Sequence, residues 1–391
     1  MTCPSAKLIQ EKMLSPLFTK KSQPKYAGKP PAAKPHPAPA HTLVTEFDYD
    51  AAVLEIFEMY PEAKEHLHFY DLGRQRFVPA DADGVRTAQE WLEDSTQARE
   101  RFYSYAAHYT AEGNSAVVPG LARGSIIMLN TSKNAINLMG PSVPLLHNVY
   151  FILDHELGHA VAENGHRNHN SQTMHECVAD NFAALRHIQR FGPDTTSLEK
   201  LMLRRAQRLV SLQGYRHAEH FTGFTLEKLL EIKDKVDIQR LTTEQTKALA
   251  TRMALAHSPN DMYVQKIAQA FKPFQHMLEQ GTTGDLPLRK LAQIVLTTKD
   301  YEIFKWGAPV LRGYMDGELG DMTNGTKKIP VPQTDFSSAY WQKARQILVR
   351  REFSFAKDDV LFGMDLPAAK NDNAQKPAFQ TPNPARSGQT V

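Results

Sequence analysis

The stretch LLHNVYFILDHELGHAVAEN, residues 145–164, decides how the chain is read. Its apolar residues fall at helical spacing, with Val149, Phe151, Ile152 and Leu153 before the centre and Ala160 and Val161 after it. The centre is His155-Glu156-Leu157-Gly158-His159. Residues four apart share one face of a helix, so the two imidazoles can reach a single metal ion, and Glu156 beside the first can aim at a water there. Zinc takes nitrogen and oxygen ligands at about 2.0–2.2 Å, and a catalytic site keeps one position open. The plain alternative is an amphipathic core helix with two hydrogen-bonded histidines. Ser142-Val-Pro144 reads as the start of this helix, with Ser as cap and Pro in the first turn, and Gly165 reads as its stop.

A polar loop, Arg167 to Thr173, leads to a second helix expected from about Met174 to Phe191, where Gly192-Pro193 ends it. It carries Glu176-Cys177-Val178-Ala179-Asp180. Two histidines need a third protein ligand, and Glu176 can supply it from a following helix. Asp180 shares its face one turn on and can accept a hydrogen bond from the outer ring nitrogen of a ligating histidine. Ala179 keeps that face small, so the two helices can approach closely. A solvated acidic turn at a helix start would explain one carboxylate but explains the spaced pair less well.

HELGH together with ECVAD, the latter like an E-x-x-A-D motif, resembles the gluzincin clan of zinc metallopeptidases. The continuation ADNFAALRHI is similar to the second helix of the cytoplasmic anti-repressor peptidases and, more loosely, of the membrane-bound CAAX-type proteases. The resemblance spans about residues 120–192. It implies that His155, His159 and Glu176 ligate one zinc ion, that Glu156 is the general base on a zinc-activated water, and that Asp180 supports His155. It also implies that the strand before the first helix, here Gly124–Asn130, pairs with extended substrate through its edge. The expected activity is peptide-bond hydrolysis, with a protein or peptide as substrate. The metzincin pattern does not fit: it needs Gly at 162 and His at 165, where Ala162 and Gly165 stand.

Other polar residues admit a functional and an ordinary role. His220, or else His217 or Tyr215, could donate to the developing oxyanion that zinc hydrolysis generates; the alternative is a set of helix-end polar residues. His166, His169 and His175 could hold a second metal, although loop histidines are more often solvated, and Cys177 is a weaker alternative ligand because it shares the face of Glu176 only in part. Asp81-Ala82-Asp83-Gly84 echoes a calcium loop, but Pro79 occupies its first ligand position, which leaves a turn feeding a helix over Thr87–Tyr109.

Charge and composition bound the remaining classes. The chain has 391 residues and a formal net charge of +3. Residues 1–41 carry seven Lys against one Glu, and 366–391 carry Lys370, Lys376 and Arg386 against Asp372, so the region between them is net acidic. Basic charge confined to tails argues against a folded nucleic-acid-binding face, and no nucleic-acid partner is expected. Both tails are rich in Pro, Ala and polar residues and read as disordered. No stretch reaches the roughly 18 apolar residues of a membrane span, so no membrane insertion is expected. The absence of an apolar leader and the presence of only Cys3 and Cys177 suit a cytoplasmic protein. Export through a specialised secretion system is the alternative meaning of the N-terminal arm.

The expected fold is α+β and predominantly helical, a zincin-like catalytic core with a small sheet and an active-site helix, followed by a helical C-terminal region. The expected organisation is a basic arm (1–41), the catalytic domain (42–195), helices that complete or cover the cleft (196–365) and a tail (366–391). Helical breaks fall at Gly214, Ser258-Pro259, Gly281–Gly284 and 317–333, and a helix over Asp48–Tyr60 precedes the sheet. The reading from another class is a non-catalytic, metal-stabilised helical scaffold with basic disordered arms. Oligomeric state is not legible.

Overall fold

Asp48 accepts a hydrogen bond from the Ala51 amide (3.0 Å) and caps helix α1, Tyr49–Met59, which stops short of Pro61 as its pattern predicts. The computed structural model describes residues 47–79, 96–112, 115–121, 124–131, 138–140, 142–162, 171–211, 220–320, 322–324, 327–329 and 334–363. Both tails, the calcium-like turn at Asp81–Gly84 and the first residues of the helix expected from Thr87 lie outside them.

Strands β1 (Leu67–Asp71) and β2 (Arg76–Val78) form an antiparallel pair, with Tyr70 opposite Phe77. Helix α2 (Thr96–Glu112) leads to β3 (Ala116–Leu121) and β4 (Gly124–Leu129), also antiparallel. β4 pairs in parallel with β1, Phe69 opposite Ile127, which gives one sheet in the order β2-β1-β4-β3. Side chains alternate across it. Phe69, Ile127 and Leu129 join the main core, whereas Tyr70, Ile126 and Met128 pack with Phe102 and Ala106 of α2.

This topology corrects one expectation. The strand at Gly124–Asn130 cannot offer an edge to substrate, because β4 is paired on both sides. Its run Ile126-Ile127-Met128-Leu129 is buried throughout, the signature of a strand covered by neighbours. The terminal strand on that side is β3.

Helix α3 spans Leu145–Val161. Its N-cap is Pro144, with no side-chain cap, so Ser142 does not have the capping role expected of it. The Ser142 hydroxyl instead accepts from Lys200 (2.7 Å), and Asn148 ties the helix entry by accepting from the Met139 amide (2.7 Å) and donating to the Pro144 carbonyl (3.2 Å). The helix ends at Val161, ahead of the expected Gly165, and 163–170 lie outside the described residues. Helix α4, Gln172–Phe191, is capped by Ser171, whose hydroxyl accepts from the Met174 amide (3.2 Å), and is stopped by Gly192 at φ 90°. From Cys177 to Ile188 every residue of α4 is buried, which makes it the central helix of the fold.

The remainder is helical: α5 (Thr196–Ser211), α6 (Gly223–Ile232), α7 (Thr243–His257), α8 (Asp261–Ala270), α9 (Lys272–Glu279), α10 (Leu286–Thr297) and α11 (Tyr301–Met315). Interruptions fall at Ser258-Pro259 and at Gly281–Gly284, where the sequence places them. A hairpin of β5 (Met322–Asn324) and β6 (Lys327–Ile329) occupies the Gly/Pro-rich stretch. Residues up to Ser338 form one compact unit, so helices α5 to α11 share it with α3 and α4. The second unit begins at Ala339, and its described part is helix α12, Ala339–Gly363. Among the described residues no helix is long and apolar enough to cross a membrane.

Candidate metal centre

Three side chains predicted as ligands converge. His155 and His159 lie one turn apart on α3, and Glu176 faces them from α4. The two Nε2 atoms are 3.2 Å apart, and the Glu176 carboxylate lies 3.5 Å from His155 Nε2 and 3.7 Å from His159 Nε2. All three ligand atoms fall within 4.8 Å of one another, and they form the one such group among the described residues. Four ligands at about 2.0–2.2 Å from a tetrahedral centre are separated by about 3.3–3.6 Å, so the donor set and its spacing both fit zinc.

Close helix approach makes this convergence possible. A Cβ built on Gly158 would stand 3.0 Å from the Ala179 Cα and 3.2 Å from the Ala179 carbonyl oxygen. Glycine and alanine therefore let the two backbones meet where the ligand-bearing turns face each other.

Asp180 fixes the orientation of His155. It is fully buried, and its Oδ1 accepts from His155 Nδ1 (2.7 Å) and from the Arg205 guanidinium (2.9 Å), while Oδ2 accepts from the Thr222 hydroxyl. With Nδ1 turned to Asp180, Nε2 is the ring nitrogen that faces Glu176 and His159. Burial works against the Asp180 charge, but Arg205 and His155 outweigh it and hold the carboxyl far below the usual range. Burial likewise disfavours a charged His155, yet Asp180 and Glu176 prevail and lift it to about 10. Burial would raise Glu176; the adjacent imidazoles of His155 and His220 instead hold it well below the carboxylate range. A cluster that stabilises positive charge this strongly is an electrostatic seat for a cation. Sequence reasoning missed Arg205 and Thr222.

Glu156 is buried beside the ligands. Burial lifts its carboxyl above the ordinary value; His155 and His159 pull against this, Glu176 adds to it, and a hydrogen bond from the Val117 backbone on β3 pulls it down. The predicted general base thus sits between the metal ligands and the terminal strand of the sheet. His220 also reaches the site: its Nδ1 is 3.1 Å from Glu176 Oε2, and the side chain is partly open to solvent. His166, His169, His217 and Tyr215 lie outside the described residues. His175 is not part of the ligand group, and neither is Cys177, which is fully buried and whose thiol burial pushes up.

No protein-family model, no curated protein and no solved structure matches this chain.

Proposed function

We propose that this chain is a zinc-dependent peptidase of the gluzincin type, with His155, His159 and Glu176 holding the ion and Glu156 as general base. The observation that carries the reading is the mutual approach of two imidazoles and a carboxylate from neighbouring helices, next to a buried carboxyl that is not one of the three. Bound there, zinc supplies Lewis acidity, polarising a carbonyl and lowering the pKa of water toward about 7. The chain's own residues do the rest. The Glu156 carboxylate takes the proton of the attacking water and passes it to the leaving amine; a carboxyl raised by burial is suited to holding that proton. Asp180 keeps His155 in one tautomer. β3 offers backbone to an extended peptide beside Glu156, and His220, next to Glu176, donates toward the developing oxyanion.

The decisive variant is Glu156→Gln. Turnover on a peptide library falls by about a thousand-fold or more while zinc content by elemental analysis is unchanged. His159→Ala loses both. Cleavage by Glu156→Gln at the parental rate would overturn the mechanism. Zinc retained by a parent protein that cleaves nothing would favour the scaffold reading.

A further inference from the structure

Helix α5 holds one cation without a counterpart among the described residues. Arg204 donates to Gln207 (2.9 Å) and Arg205 to Asp180 (2.9 Å). Arg208 makes no hydrogen bond or ion pair with any described residue, and it is exposed while its neighbours Gln207 and Leu209 are buried. Its position is set by the hairpin of α4 and α5. Asp180 and Arg205, which touch, lie at nearly equal depth from the short link after Phe191, so the two helices run back alongside each other. From Arg205 to Arg208 is about 4.5 Å along α5 on the same face. The matching step back along α4 leads from Asp180 to Glu176. One turn beyond Arg205, Arg208 lies within electrostatic reach of both Glu176 and Asp180.

The electrostatics agree with that placement. Burial draws the Arg208 guanidinium down to about 10, Arg205 adds to the fall, and Glu176 and Asp180 oppose it. The side chain is nonetheless open to solvent, so a ligand can reach it. The nearby carboxylates do not neutralise it by contact. Glu176 is engaged by His155, His159 and His220, and both oxygens of Asp180 are occupied.

We infer that Arg208 is a substrate-recognition residue that binds a peptide carboxylate beside the metal centre. Its planar fork of donors matches a carboxylate bidentately, which an ammonium would not do. The carboxylate is either a free C-terminus, which would confine cleavage to bonds near chain ends, or an Asp or Glu side chain, which would direct cleavage within chains. The placement near a scissile bond rests on the peptidase reading; the binding of a carboxylate does not.

The test uses the full chain carrying Glu156→Gln, so that nothing is cut, and fluorescence anisotropy with four labelled hexapeptide pools. The pools have a free or an amidated C-terminus, with Asp and Glu either included or replaced by Asn and Gln. The pools bearing a carboxylate bind more tightly than the fully neutral pool, and the pool that carries the preference identifies its source. Adding Arg208→Gln lowers the preference about ten- to hundred-fold, and Arg208→Lys restores part of it. Three outcomes overturn the inference: no binding of any pool, no preference in the parent, or a preference that survives Arg208→Gln. Kinetics with Glu156 intact separate this inference from the one beneath it. Equal cleavage of acidic and neutral peptides sinks carboxylate recognition and leaves the peptidase standing. A carboxylate preference in binding without any cleavage sinks the peptidase and leaves Arg208 standing. A kcat lowered equally on all peptides by Arg208→Gln assigns the residue to the oxyanion instead and overturns the inference.

Discussion

Asp180 is the side chain on which most of the site's geometry converges, and it separates ligation from orientation. Asp180→Asn keeps the three ligands but weakens the acceptor on His155 Nδ1 and leaves Arg205 unneutralised. Zinc affinity, measured by competition with a chromophoric chelator, is expected to fall about 10- to 100-fold. Arg205→Met removes the cation and leaves Asp180 buried without it, at a cost of about 3 kcal/mol in urea unfolding. Away from the metal, His187 is buried with neither ring nitrogen hydrogen-bonded; burial, His147 and Arg190 depress it to about 3. Its folded pKa lies below the unfolded value of about 6.5, so between those limits the unfolded chain binds the extra proton and stability falls with acidification. In His187→Leu that contribution to the slope of unfolding free energy against pH disappears. The convergence of His155, His159 and Glu176 was legible because each motif is local, residues on one helical face at a spacing of three or four. Arg205 and Thr222 were not, because they lie 25 and 42 residues from Asp180 in the chain. A guanidinium on the apolar side of an amphipathic helix, one turn after Leu201, is the trace that Arg205 left in the sequence.

At the scale of the element, the α3–α4 contact sets the tolerances. The atoms facing Gly158 are backbone atoms of Ala179, which cannot rotate away as a side chain could. Gly158→Val is therefore expected to cost about 1–3 kcal/mol in a denaturant melt and to weaken zinc binding in the same protein. A melt unchanged from the parent would mean that the helices slide apart at no cost. Helices with clean punctuation were read close to their bounds: Asp48 before α1, Gly192 after α4 and Ser258-Pro259 after α7. The errors share a physical origin. Ser142 has the right chemistry for a cap, but its hydroxyl is used by Lys200, a tertiary partner. β4 has the right composition for a strand, but which strands flank it is decided by sheet order, and composition does not encode that. The β5–β6 hairpin consists of two three-residue strands, too short for a period-2 pattern to stand out.

For the whole molecule, the predicted ligands sit on two core helices, so an ion bound there would be linked to folding. Zinc at about 100 times its Kd should raise unfolding free energy by about 2.7 kcal/mol, and chelation should remove that increment. Glu176→Ala should erase the response to zinc. A thermal midpoint insensitive to zinc and chelator alike would count against any ion at this site. Helices α5 to α11 belong to the same compact unit as the candidate centre, and two approaches from this region, at Arg205 and at Thr222, close on Asp180. A ribosome delivers these groups in order. A nascent chain halted after Phe191 would expose both imidazoles and the carboxylate but would lack the guanidinium and the hydroxyl that hold the aspartate still. The full set of contacts on Asp180 thus forms only when synthesis has passed residue 222, so the candidate centre is completed by chain made well after its two ligand-bearing helices.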